Sequence, residues 1–116
     1  MLWASGQVYA QHEIQAKVVL DPATHSFIVY EQLTYFNQSN DTLKKLIVND
    51  WNNAYSSKSS LLAKRFSDEF LRSFHFAPAK EFGATTVEKI ASVSNQALNW
   101  KRLPDQVDLI EIELAQ

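Results

Sequence analysis

Apolar and polar positions alternate with a period of two near both ends of the chain and follow a helical spacing in the middle. Ile14, Ala16, Val18 and Leu20 share one parity, against Gln15, Lys17 and Val19 on the other. Successive side chains of an extended backbone point to opposite faces, so this run predicts a half-buried strand. Asp21-Pro22-Ala23-Thr24-His25 follows as a turn: proline presets φ, and an aspartate carboxylate can bind the backbone amides just ahead of it. Over residues 27–37 the alternation resumes, with Phe27, Val29, Leu33 and Tyr35 on one face and Glu31 interrupting it. Two strands of similar length around a short turn predict a hairpin. Asn37-Gln38-Ser39-Asn40-Asp41 is a second turn, rich in side chains that compete for backbone hydrogen bonds. Leu43, Leu46 and Val48 in residues 43–49 predict a third, shorter strand, completing an antiparallel meander with one face left to pack.

The middle of the chain changes period. Leu62, Phe66 and Phe70 recur every four residues, which places them on one helical face. The spacing predicts one short helix over residues 58–73, capped by Ser59 or Ser60 and prevented from continuing by Ala77-Pro78. Strand-like sequence then returns. Residues 85–94 alternate loosely through Val87, Ile90 and Val93, Asn99-Trp100-Lys101 sits beside a turn, and Ile110, Ile112 and Leu114 alternate against Glu111 and Glu113. The expected fold is mostly β: an antiparallel sandwich or saddle-like domain with one short helix near residues 58–73.

The chain has 116 residues, of which 46% are hydrophobic and 21% charged. That fits one globular domain, here residues 12–116, with enough apolar sequence for a core. The formal net charge of -2 gives no basic excess for phosphate contacts, so nucleic acid is not an expected partner. The absence of cysteine excludes disulfides, thiolate zinc sites and a thiol nucleophile. No apolar run approaches the ~20 residues of a membrane-spanning helix. In the first eleven residues, Val8-Tyr9-Ala10 has the small-x-small pattern of a signal-peptidase site, with Gln11 as the first mature residue. Residues 1–11 therefore read either as the remnant of a signal peptide, making the mature protein exported, or as an ordered N-terminal strand, a cloning scar or a disordered tail.

Motif by motif, catalytic chemistry finds little footing. His12-Glu13-Ile14-Gln15-Ala16 begins as the H-E-x-x-H zinc motif does, but its fifth residue is Ala16, and the segment reads as a strand. His25 and His75 have no carboxylate at ligand spacing. The two glycines, Gly6 and Gly83, lie in no nucleophile elbow or phosphate-cradling loop. Acidic pairs such as Asp68-Glu69 and Glu111/Glu113 read as solvated faces. Asn37-Gln38-Ser39 and Asn40-Asp41-Thr42 match the glycosylation sequon, but read first as turn residues. The most unusual string is Trp51-Asn52-Asn53-Ala54-Tyr55. Trp51, Asn53 and Tyr55 could bind a sugar or a peptide, or could anchor a strand end to the core.

Several segments, in order, resemble the start of the aminopeptidase N-type (gluzincin) zinc metallopeptidases, especially their Bacteroidetes-like bacterial members. Leu20-Asp21-Pro22 with His25 resembles that family's first hairpin turn, L-D-P-x-x-H. Glu31-Gln32-Leu33-Thr34-Tyr35-Phe36-Asn37 resembles its E-x-I-T-Y-x-N strand, and Ser39-Asn40-Asp41-Thr42-Leu43-Lys44-Lys45-Leu46 its N-S-x-D-T-L-x-x-L segment. Asn53-Ala54-Tyr55 matches the end of L-x-P-N-A-Y, with Asn52 where the family has proline. Phe82-Gly83, Ile90 and Trp100 resemble its later strands more loosely. The resemblance implies a β-rich, saddle-like N-terminal domain that walls a substrate cleft and is not itself an enzyme. Its partners would be the downstream catalytic domain of the same polypeptide and the peptide substrate of the whole protein. It also implies export to the periplasm or cell surface, and zinc held in the catalytic domain rather than in this chain. No catalytic or metal-binding residue carries over. The strand running into Gln116 fits a domain cut from something longer, and the apolar sheet face bared by such a cut could support a dimer. The alternative is a free-standing β-sandwich module that binds carbohydrate or protein through Trp51, Asn53 and Tyr55.

Overall fold

A computed structural model describes residues 12–114. The signal-peptidase pattern at Val8-Tyr9-Ala10 and Gln11 lies outside the described residues. Among those described, strand dominates, every ladder is antiparallel, and helix is confined to two short α-helices and two 3₁₀ turns. The mostly-β, antiparallel class is thus the one the alternation predicts. The chain divides into two compact units, one up to Asp41 and one from Thr42 onward.

The first unit is a long hairpin. Strands β1 (His12–Asp21) and β2 (Ser26–Tyr35) pair without a bulge from His12↔Tyr35 to Asp21↔Ser26. The turn closes as its residue types dictate. The Asp21 carboxylate accepts from the amides of Ala23 at 3.0 Å and Thr24 at 3.4 Å, and His25 takes the left-handed conformation at φ 52°. The register sets Ile14 opposite Leu33, Ala16 opposite Glu31, Val18 opposite Val29 and Leu20 opposite Phe27. These pairs share one face, which is therefore apolar except at Glu31. Among the described residues of this unit nothing packs on that face: Phe27 is 67% exposed and Ile14 63%. Beyond β2, Asn37 builds the next turn, its amide donating to the Asp41 carbonyl at 2.7 Å and its carbonyl accepting from the Ser39 amide at 3.0 Å.

The second unit holds a three-stranded sheet of β3 (Lys45–Asn49), β4 (Trp100–Leu103) and β5 (Gln106–Glu113), in the order β3-β5-β4. Here the structure corrects the predicted meander, because the third strand pairs with β5 and not with β2. The cause is apolar matching. Leu46 registers with Ile112 and Val48 with Ile110, and both isoleucines are buried, each such burial being worth about 1.5–3 kcal/mol. The predicted strand over residues 85–94 is likewise absent. Its apolar members, Val87, Ile90 and Val93, are spaced by three, so Ile90 would fall on the strand face opposite Val87 and Val93. The segment instead closes a tight turn at Asn95 (φ 64°) through one bridge, Ala91↔Ala97. Trp100, expected beside a turn, opens β4.

The single helix predicted over residues 58–73 is two pieces, α1 (Leu61–Asp68) and α2 (Ser73–Phe76). Ser60 caps α1: its hydroxyl accepts from the Ala63 amide at 3.2 Å and donates to the Ala54 carbonyl at 2.6 Å. The cap sits where Ala54 and Ala63 are buried, so small side chains let the helix start and the preceding turn approach closely. At the other end, Phe70 stands at φ 59°. Its amide donates to the Ser67 carbonyl at 3.0 Å, and the Leu71 amide donates to the Phe66 carbonyl at 2.7 Å. That is the Schellman arrangement, which normally places glycine where Phe70 stands. A side chain with a Cβ in that conformation costs about 1–2 kcal/mol, so the four-residue spacing of Phe66 and Phe70 misleads: Phe70 leaves the helix face.

Candidate functional site

The unusual Trp51–Tyr55 string forms a 3₁₀ turn at the end of β3. The Asp50 amide donates to the Asp108 carbonyl at 2.6 Å, extending the β3–β5 ladder by one bond, and the Asn53 amide then donates to the Asp50 carbonyl at 3.0 Å. Asp50 occupies the cap position, but its side chain makes no cap hydrogen bond. Its carboxylate is used elsewhere, accepting from the Thr85 hydroxyl at 2.8 Å and from Arg102 Nη2 at 2.7 Å.

Arg102 is the hub of this clasp. Nη2 also donates to the Thr85 carbonyl at 3.0 Å, and Nη1 donates to the Val107 carbonyl at 2.8 Å. Asn53, which is buried, completes it: Nδ2 donates to the Val107 carbonyl at 2.6 Å and Oδ1 accepts from the Thr85 amide at 3.1 Å. Asn52 donates to the Thr85 hydroxyl at 3.1 Å. A Cβ on Gly83 would come within 2.7 Å of Asn52 Oδ1, so glycine there lets the Thr85 segment pass close over the turn. Paired charges this sheltered hold geometry well, because losing one strands the other.

The three nominated residues therefore separate. Trp51 is 57% exposed and meets Tyr55 edge-on, with ring centroids 6.2 Å apart. Tyr55 is half-buried and packs on Phe66 and Phe74 at 6.4 and 6.1 Å. Phe74 in turn stacks on Phe82 at 5.1 Å, and Lys58 Nζ stands 5.7 Å from the Phe82 ring centre. Asn53 has both ends of its amide committed to backbone partners, so of the three only Trp51 is mainly presented to solvent. Sequence reasoning does not single out Asp50, Thr85 and Arg102. The available signal was a basic residue in a short strand next to an apolar one, Arg102-Leu103, and an acidic residue immediately before Trp51.

The histidines have local roles. His12 lies on a strand and stacks on Tyr35 at 4.3 Å, so its H-E-x-x-x sequence offers zinc no helical pair of imidazoles. His75 Nε2 donates to the Ala63 carbonyl at 2.9 Å. Among the described residues no three His, Asp or Glu side chains group closely enough to hold a metal ion, and no helix is long and apolar enough to cross a membrane. Compared with family models, curated proteins and solved structures, the chain finds no match.

Proposed function

We propose that this chain is the non-catalytic N-terminal domain of an exported zinc aminopeptidase-like metallopeptidase, acting as scaffold and as wall of the substrate cleft. The observation that carries the reading is the in-register apolar face of the hairpin, which its own two strands do not bury. A two-stranded ribbon is marginal in water without something to pack against, and here Ile14, Val18, Leu20, Phe27 and Val29 line up in register on an exposed face. A neighbouring domain of the same polypeptide is the simplest cover for such a face, with Glu31 as its one charged position. The ordered motifs add support, since the L-D-P-x-x-H segment falls on the hairpin turn and Asn53-Ala54-Tyr55 on the 3₁₀ turn. In this role zinc and the reacting groups belong to the downstream domain, and the peptide substrate passes over this one.

The reading frame beyond Gln116 tests the proposal. It is expected to encode H-E-x-x-H followed by a Glu on the next helix. A stop codon close behind Gln116 overturns it. A second reading, a free-standing module that binds carbohydrate or protein, is favoured by the exposure of Trp51. Under that reading Trp51→Ala abolishes binding to a glycan array while leaving the unfolding midpoint unchanged, and an array without any Trp51-dependent signal removes it.

A further inference from the structure

Phe70 combines two disadvantages that ordinary packing would not leave together. It holds a left-handed backbone where glycine is at ease, and 82% of its surface faces solvent. Burial of the ring therefore does not offset the strain. Strained conformations of this kind cluster at sites of function. The turn aims Phe70 beside Phe76, itself 78% exposed, and the two rings line a depression of about 390 Å³ with Ser67, Arg72 and His75.

The formal charge on the lining of the depression is positive, with the Asp68 carboxylate next in sequence to Ser67 and outside the lining. Arg72 is the one formal charge among its lining residues, no carboxylate lines it, and Arg72 forms no ion pair among the described residues. The nearby Glu69 is engaged by Arg65 Nε at 2.8 Å. His75 is held by the Ala63 carbonyl, so that part of the lining is fixed. Two exposed aromatic rings beside an unpaired guanidinium match a bulky apolar side chain next to a carboxylate, because aromatics and arginine are the residues that concentrate binding energy at protein surfaces.

We propose that the Phe70–Phe76 depression is a docking site for a linear peptide segment in which an aromatic or aliphatic side chain adjoins Asp or Glu. The depression shares no lining residue with the Trp51 turn and stands independently of the metallopeptidase reading.

Fluorescence polarisation on the 116-residue chain tests it, with a labelled peptide carrying Leu-Phe flanked by Asp on both sides and a matched peptide with Lys in place of Asp. The acidic peptide is expected to bind saturably, and the basic one at least about tenfold more weakly. Phe70→Gly is the decisive variant. It relieves the left-handed strain, so the urea midpoint rises, yet it removes the ring, so affinity falls about tenfold or more. Arg72→Gln is expected to erase the preference for the acidic peptide, and Phe76→Ala to weaken both. No binding, equal binding of the two peptides, or Phe70→Gly binding as the parent chain does would each overturn the proposal. So would a dimer in sedimentation velocity that Phe70→Gly dissociates, because the patch would then serve self-association.

Discussion

Asn53 and Trp51 stand two positions apart in one short string and have opposite roles. Removing the Asn53 side chain leaves the Thr85 amide without its acceptor, while the Val107 carbonyl keeps its bond from Arg102. Asn53→Ala is therefore expected to destabilise the fold by about 1–3 kcal/mol. Trp51→Ala, at an exposed position, is expected to stay within about 0.5 kcal/mol. Urea unfolding followed by far-UV circular dichroism compares the two, and equal losses would mean that Trp51 is a packing residue. The sequence shows an aromatic-asparagine cluster here and goes no further. The partner that consumes the Asn53 amide lies 54 positions away, and no local pattern announces a pairing at that distance. Phe70 is misread for the converse reason: its spacing from Phe66 is helical, and only the backbone angle shows that the helix has already ended.

At the scale of elements, alternation is reliable where it is strict. The strands around Ile14 and Ile110 are legible because one parity is apolar over several residues. The segment of Val87, Ile90 and Val93 misleads because its spacing belongs to neither period. Which strand neighbours which was not legible, since Leu46 and Val48 suit any apolar partner and β5 comes last in the chain. The face of the β3-β5-β4 sheet that carries Lys45, Glu111 and Lys101 yields a prediction in pH. Glu111 lies 2.9 Å from Lys45 Nζ and 3.4 Å from Lys101 Nζ. The hydrogen bond from Lys45 chiefly, with Lys101 assisting and partial desolvation opposing, holds the Glu111 carboxyl below its ordinary value. A carboxyl depressed in the folded state stabilises fully above its unfolded value, and that contribution is lost as pH falls through the folded one. The urea midpoint is thus expected to fall as pH drops from about 5 to 3, and Glu111→Gln should flatten that fall. An unchanged slope in the variant would show the ladder to be energetically idle. The same pair raises Lys45, whose contribution persists through neutral pH and is lost only as pH rises through the raised value.

Across the whole molecule, order should not be uniform. The hairpin is a two-stranded ribbon that buries little apolar surface within itself, whereas β5 is paired on both edges and carries the buried Ile110 and Ile112. Amides of β1 and β2 are therefore expected to exchange with deuterium well before those of β5, because local opening follows sparse apolar burial. Exchange followed by NMR measures this directly, and equal protection of the two sets would show that the hairpin is stabilised as strongly as the sheet. The order in which β3 and β5 occur along the chain has a consequence for synthesis. Lys45 must wait for Glu111, 66 positions later. At about 5–20 residues per second, a ribosome needs roughly 3–13 s to supply that partner. The β1–β2 hairpin can close within microseconds of emerging, but for those seconds Leu46 and Val48 have no sheet to join. That stretch of the nascent chain is where a chaperone would find a grip during synthesis.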